Sequence, residues 1–272
     1  MTLQEIREIT KEMITIGIKA KRASDFMRIP LSTLYYQSNK AQKDKELAYM
    51  IKEIAFEHTF YGYRRIHKVI NKKIPSINHK KVYRIYKNLQ LQRQRPRKNK
   101  KNLSISLPLT ELRRVNHIWA IDFIFDALSN GKVIKCMPIE DLYSRFVLAI
   151  EVSFRIRADK VISVLKECFR VYGIPKILRT DQGAEFRGKI FERFVQQHGI
   201  RHEFTAKGSP WQNGDLESFN GKFRDECLSR NLFEDLAETR QMIEKHRIFY
   251  NTERPHSGLN GKTPAEVYRE GS

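Results

Sequence analysis

The chain has 272 residues, 40% of them hydrophobic, enough for one large core domain with or without a smaller one. Its 51 Lys and Arg against 31 Asp and Glu leave a formal charge of +20, so an anionic partner is expected. Nucleic acid comes first, because neutralising phosphates releases counterions. No run approaches the ~18 apolar residues of a spanning helix, the charged start MTLQEIREITKEM is unlike a signal peptide, and the scattered Cys136, Cys168 and Cys227 suit neither a disulfide framework nor a zinc knuckle. A reducing, cytoplasmic compartment follows.

In residues 1–40, Ile6, Ile9, Met13 and Ile14 or Ile16 predict a helix that stops near Gly17. Ala20 to Met27, the break at Ile29-Pro30, and Ser32 to Tyr36 with Ser32 as N-cap read either as a helix-turn-helix or as an ordinary helical hairpin. Residues 41–92 form a second helical unit. From Gly62 to Lys101 there are 15 Lys and Arg and no acid; a merely solvated helix face interleaves both signs to gain i,i+4 pairs. Ile66, Val69 and Ile70, then Val82, Ile85, Tyr86 and Leu89, give two helices with an apolar and a cationic face, separated by the breaker IPSINH. That is the outline of a small DNA-binding module, with Arg64, Arg65, Lys68, Lys80, Lys81 and Arg84 as candidate phosphate contacts.

Residues 93–112 begin RQRPRKNKKNL and read as a basic linker. Residues 113–272 change character. Val115–Leu128, Lys132–Glu140 and Arg145–Val152 predict three successive strands. A helix over Ala158–Tyr172, a strand over Ile177–Thr180, a helix over Lys189–His198 and a strand over Arg201–Phe204 follow. Three strands and then alternating helix and strand imply a mixed α/β sheet covered by helices.

Three carboxylates draw attention. Asp122, in WAIDFIFDA, sits in a strand apolar on both faces, where an ionised group is costly unless it is paired or binds metal. A buried salt bridge or a strand-end carboxylate is the plainer reading, and Asp126 is a rival on the same face. Asp181 follows the strand KILRT and enters a Gly-containing turn, a position that suits ligands in open sheets and equally suits a turn-forming Asp. Glu217 lies on a helix opened by Ser209 as N-cap, Pro210 and Gln212, beside the core stripe Leu216, Phe219 and Phe223. Most helix Glu residues face solvent, and Asp215, Asp225 and Glu226 are read that way. Together the three acids can converge on hard divalent cations, two of which can clamp an in-line phosphoryl transfer. Lys207, Trp211, Gln212 and Asn213 precede or open the Glu217 helix, where backbone N–H groups and cations can hold phosphate. His198, His202, His246 and His256 are read as structural.

WAID at 119–122, RTDQGAEF at 179–186 and SPWQNGDLESFNGKFRDE at 209–226 resemble the DDE integrase core of transposases and retroviral integrases. Asp181 and Glu217 have the 35 intervening residues typical of that superfamily, and Arg224 stands at its basic position seven residues after the Glu. YGYRRIHKVIN at 61–71, LYY at 34–36, DLYSRFVLAIEV at 141–152 and YNTERPHSGLNGKTPAEV at 250–267 resemble the OrfB transposases of the insertion-sequence-three family. The resemblance implies an RNase H-like fold and Asp122, Asp181 and Glu217 as ligands for two Mg²⁺ or Mn²⁺. It implies cleavage of element ends and strand transfer into target DNA without a covalent protein intermediate. It also implies an upstream OrfA-type partner or frameshift fusion, a multimer on double-stranded DNA, and a bacterial cytoplasmic, nucleoid-associated setting. Retroviral integrases carry an N-terminal His/His/Cys/Cys zinc module; here no cysteine precedes Cys136, so no structural zinc is expected. Two other readings remain: a nuclease of the same fold that cuts without joining, and a non-catalytic DNA-binding regulator or decayed element protein.

Overall fold

The computed structural model describes residues 1–35, 40–92, 111–205 and 214–271, with 40, 41 and 214–217 as backbone only. Helix α1 (Leu3–Thr15) opens on a capping box between Thr2 and Glu5 and is stopped by Gly17, whose φ of +99° an L side chain rarely adopts. α2 (Ala20–Phe26) and α3 (Leu31–Tyr35) follow. Ser32 is not the cap expected from the sequence. α3 begins at Leu31, and the Pro30 carbonyl accepts from Thr33 and Leu34 N–H at 2.9 and 3.0 Å. Pro30, with its fixed φ, thereby takes the cap role and leaves Ser32 inside the helix.

α4 (Lys40–Glu57), α5 (Tyr63–Lys73) and α6 (His79–Asn88) make the basic helical unit. Their apolar faces meet in one cluster of Leu47, Ile51, Ile66, Ile70, Val82 and Ile85. The breaker between α5 and α6 turns at Ser76 (φ +64°), and Asn78 caps α6 by accepting from Lys80 N–H at 2.8 Å. Phe249, from the far end of the chain, packs against this cluster, so the unit leans on the larger domain.

The larger domain is a mixed sheet with helices on both faces. Its strands are β1 (Ile118–Ile121), β2 (Ile124–Ala127), β3 (Val133–Asp141), β4 (Phe146–Ser153), β5 (Ile177–Thr180) and β6 (Arg201–Phe204). β3 pairs antiparallel with β4 on one side and with β1 and β2 on the other. β1 pairs parallel with β5, and β5 parallel with β6. The long strand read over 115–128 is thus divided. Ile121↔Ile139 and Ile124↔Cys136 keep one register across β3, so β1 and β2 are a single run interrupted at Asp122-Phe123.

Alternation along β1 divides the core. Ile118 and Ala120 face a cluster containing Phe219 and Phe223 of α10 (Gly214–Glu226) and Ile243 and Tyr250 of α11 (Leu236–Thr252). Trp119 and Ile121 face Val161 and Leu165 of α7 (Ala158–Tyr172) and Phe191 and Phe194 of α9 (Lys189–Gln197). A short helix α8 (Ala184–Arg187) precedes α9, and α12 (Pro264–Glu270) closes the chain. No described helix is long and apolar enough to cross a membrane.

The expectation that Glu226 is a surface residue is wrong. Its side chain is 9% exposed and bound at 2.6 Å through both oxygens by Arg254, itself buried, while Arg65 of α5 stands 3.4 Å away. A buried carboxylate needs such partners. Burial pushes the Glu226 pKa up, but the hydrogen bonds and charge of Arg254 and Arg65 outweigh it and hold the group below the usual carboxylate range. One acid therefore joins the end of α10 to both the basic helical unit and the C-terminal segment.

His246 and His256, read as structural, are both buried beside this pair. Burial lowers His246 to about 4, with Arg254 adding and Glu226 opposing. Burial, then Arg254 and Lys222, lower His256 to about 2. An unfolded histidine protonates near pH 6.5, so below that pH the unfolded chain binds the extra protons. Stability from this source is intact above pH 7 and falls below 6.5 by about 1.4 kcal/mol per pH unit for each histidine. The melting temperature is expected to decline steadily from pH 7 to 5, with His246→Met making the slope shallower; a flat profile contradicts neutral burial.

Candidate active site

Asp122 lies where β1 breaks. Its Oδ1 accepts from Phe123 N–H at 2.8 Å, a local bond that stands in for the sheet ladder and explains the interruption. Its Oδ2 accepts from Asn220 Nδ2 of α10 at 2.7 Å. Asp122 is half-buried rather than enclosed on both faces, although β1 before it is fully buried. The rival Asp126 is in β2, which among the described residues pairs with β3, and its Oδ1 is taken by Ala127 N–H at 2.9 Å.

Asp181 follows the last residue of β5. The β1–β5 register runs Ile118↔Ile177, Trp119↔Leu178, Ala120↔Arg179. Continued two residues, the same offset sets Asp122 opposite Asp181 at the carboxyl ends of neighbouring parallel strands, about 4.8 Å apart in a regular sheet. Both positions share parity with Ala120 and Ile177, which face the α10 side. The strand end is fastened by Thr180, whose hydroxyl donates to the Asp181 carbonyl at 2.8 Å and lies 2.9 Å from His202 Nε2.

Gly183 N–H donates to Asp181 Oδ1 at 3.0 Å. A Cβ at Gly183 would stand 2.9 Å from Glu185 Oε2 and 3.0 Å from Asp181 Oδ1, closer than real Cβ contacts. The effect of glycine here is close approach rather than backbone freedom, since φ is an ordinary −57°, and a Cβ would displace the carboxylate ends. Gly183→Ala is expected to shift the Asp181 carboxylate while costing under about 1 kcal/mol of stability, because Asp181 is half-exposed and can move. If Asp181 acts in catalysis, activity falls at least ~10-fold; steady-state rates and a thermal melt on one preparation check both.

Glu185 pairs with Lys135 of β3, whose ammonium also lies 3.5 Å from the centre of the Phe123 ring. Burial raises the Glu185 pKa, but the Lys135 hydrogen bond and charge win, and the group stays below its ordinary value. Phe123 stacks on Phe186 of α8 at 5.3 Å. Lys135, Glu185 and the two rings therefore wall the strand ends beside Asp122 and Asp181.

Glu217 belongs to α10, three positions or about one turn before Asn220. The Asn220–Asp122 bond thus fixes that stretch of α10 against the β1 end. Asn220 Oδ1 is buried and has no hydrogen-bonding partner among the described residues. An orphaned acceptor beside a half-buried carboxylate fits a site that takes a hard cation through oxygen. Arg224, seven positions after Glu217, donates to the Phe125 carbonyl at 3.2 Å and remains exposed. Asn220, Gly183 and Lys135 were not singled out from the sequence. The i+3 spacing from Glu217 was a usable signal for Asn220; nothing local marks Lys135.

The candidate DNA contacts divide. Arg64, Lys68 and Lys80 are exposed on α5 and α6; Lys68 Nζ reaches the Asn260 carbonyl at 3.3 Å. Lys81 and Arg84 both bind Asp44 of α4, at 2.8 and 2.6 Å. Arg65 is turned inward between the Tyr61 ring and Glu226, which favours a structural role over the phosphate contact read from the sequence. Lys207, Trp211, Gln212 and Asn213, with the Ser209–Gln212 cap, lie outside the described residues.

Residues 41–99 match the HTH-like domain family, and residues 113–210 and 198–264 match integrase core domain families. The insertion element IS407 31.7 kDa protein of Burkholderia multivorans is 36% identical over 92% of this chain and 91% of its own length. This chain belongs to the insertion-element transposases of the DDE, integrase-core superfamily. The insertion element IS476 39.2 kDa protein of Xanthomonas euvesicatoria is 41% identical over 79% of this chain, which spans only 62% of that relative's length. Among solved structures, the simian T-cell lymphotropic virus intasome in complex with a PP2A regulatory subunit aligns at a TM-score of 0.51, with 19% identity over 80% of this chain and 73% of that one. At that identity the likeness bears on fold, and the fold is that of the integrases.

Proposed function

We propose that this chain catalyses metal-dependent cleavage and strand transfer of the DNA ends of an insertion element, with Asp122, Asp181 and Glu217 as the metal-holding acids. One observation carries the reading. Asn220, a turn after Glu217, bonds Asp122 at 2.7 Å, while the β1–β5 register, extended two residues past Ala120↔Arg179, leads Asp122 towards Asp181. Two carboxylates on adjacent strand ends and a third on the helix fastened against them suit two Mg²⁺ or Mn²⁺ ions. Bound there, the cations supply Lewis-acid stabilisation of the attacking and leaving oxygens of an in-line phosphoryl transfer.

The chain's own groups prepare that site. Asn220 and Phe123 N–H orient the Asp122 carboxylate, and Gly183 N–H orients Asp181. No thiol competes as nucleophile: burial raises Cys136, Cys168 and Cys227 to about 12. Arg64, Lys68, Lys80 and Arg224 grip phosphates on element or target duplex, and Lys207, Gln212 and Asn213 are assigned as further DNA contacts. Residues 1–40, 41–92, 93–112 and 113–272 serve as helical extension, DNA-binding module, linker and catalytic core with its C-terminal helices. An OrfA-type partner or fusion upstream completes end recognition, and two ends are held by a multimer in the bacterial cytoplasm.

The test incubates purified chain with a labelled duplex of the element's terminal sequence and a target plasmid, in Mg²⁺ and in EDTA. Nicked ends followed by joined products in Mg²⁺ alone are expected. Nicks without joining identify a nuclease, binding without cutting identifies a regulator, and equal products in EDTA overturn the metal reading. Affinity for duplex is expected to fall steeply with salt.

A further inference from the structure

Where the basic helical unit meets the integrase core there is a cavity of about 270 Å³ that neither region's reading accounts for. It is lined by His58, Phe60 and Tyr61 after α4, by Glu226 and Arg230 near the end of α10, and by Lys245, His246 and Phe249 of α11. Its volume falls just under the ~300–1,000 Å³ of ordinary small-molecule sites, room for a single heteroaromatic ring system.

The walls have the chemistry of a nucleobase site. His58 stacks between Tyr61 and Phe249, with ring centres 4.5 and 5.2 Å apart and planes within 28°. Phe60 carries the Arg230 guanidinium 5.5 Å from its centre. Flat aromatic surfaces flanked by cations are how proteins hold unpaired bases. Arg230 and Lys245 are exposed at the cavity. The acid that lines it, Glu226, is already neutralised by Arg254 and Arg65, so the cavity keeps a positive balance. His246 is nine-tenths buried, lines the cavity, and its Nε2 has no hydrogen-bonding partner among the described residues. A buried ring nitrogen without a partner is costly and is relieved by a ligand's own donor or acceptor.

We infer that this cavity receives an unpaired nucleobase of bound DNA, stacked against Phe60 and Phe249 and hydrogen-bonded to His246, with the adjoining phosphates on Arg230 and Lys245. The inference rests on the reading of the chain as one that acts on DNA. It adds that the chain grips a frayed or single-stranded end at the seam between its two DNA-facing regions, apart from the Asp122–Asp181 strand ends.

The experiment uses the full chain and three probes: a blunt duplex, the same duplex with a short overhang carrying 2-aminopurine, and 2-aminopurine deoxyribonucleoside monophosphate alone. The overhang duplex is expected to bind about 10-fold more tightly than the blunt one, with a saturable change in 2-aminopurine emission. Phe249→Leu, which stays apolar but removes the ring, and Arg230→Gln/Lys245→Gln, which alters only exposed side chains, should each abolish the preference and leave blunt-duplex affinity within about twofold. An overhang carrying 5-iodouracil should photocross-link to the peptide containing His58 and Phe60. Equal binding of blunt and overhang duplexes, or a preference that survives both variants, overturns the inference. Saturable binding of the monophosphate without any duplex binding assigns the cavity to free nucleotides and sinks the DNA arm of the proposal. Normal duplex binding without the overhang preference refutes the cavity while leaving the DNA-acting reading untouched.

Discussion

Asp122→Asn and Asp181→Asn should each lower strand joining by at least ~10³-fold, about 4 kcal/mol of barrier, while leaving duplex affinity and folding nearly unchanged. The size follows from the role proposed for these acids. An amide keeps the shape of a carboxylate but loses the charge that holds a hard cation. Folding is spared because the local bonds survive. Asn at 181 still offers an Oδ1 to Gly183 N–H, and Asn at 122 still offers one to Phe123 N–H. Its second atom becomes a donor facing the Asn220 amide, which can turn to present its Oδ1, partnerless among the described residues. Stability should therefore change by about 1 kcal/mol or less. Glu217→Gln is expected to behave alike. Single-turnover joining rates beside thermal melts and duplex titrations separate these effects; a variant that joins at the wild-type rate removes its residue from the site.

The second large effect is structural. Glu226→Ala or Arg254→Ala leaves its former partner charged and buried, which costs about 3–5 kcal/mol. For a chain of this size that is a fall in melting temperature of roughly 6–15 °C. Glu226→Ala combined with Arg254→Ala removes both charges and should be less harmful than the sum of the single changes, the signature of a coupled pair. Arg65→Ala, whose side chain is 25% exposed, should cost no more than about 1 kcal/mol. Because Glu226 ends α10, the single variants are also expected to loosen the helix that carries Asn220 and Glu217. Melting curves of the four variants give the answer; an Arg254→Ala protein as stable as the wild type contradicts the packing described.

These two results concern parts of the molecule that were unequally visible in the sequence. The strands, α7 and α9 were legible because apolar periodicity and Gly or Pro stops act locally. The pairing of β1 with β5 was not, yet its offset, carried two residues past Ala120↔Arg179, is what leads Asp122 towards Asp181. The break at Asp122-Phe123 also escaped notice, since it depends on a side chain competing with the ladder for one N–H. Glu226 was misread for a related reason. On its helix it looks like any charged residue near a C-terminus, and its partners stand 28 and 161 positions away in the chain. Arg65 shows the same limit. A run of cations reports the charge of a segment, and only the fold decides which of them turns inward.

The carboxylate assignment is tested most directly by changing the ligand and the metal together. Asp181→Cys replaces a hard oxygen donor with a soft thiolate, which suits Mg²⁺ poorly and thiophilic cations better. With a pre-nicked element end and target DNA, Asp181→Cys is expected to be at least ~10³-fold slower than the wild type in Mg²⁺ and to recover ~10-fold or more in Mn²⁺, whereas Asp181→Ala recovers in neither. Joining at the wild-type rate by Asp181→Ala in Mg²⁺ would contradict the account.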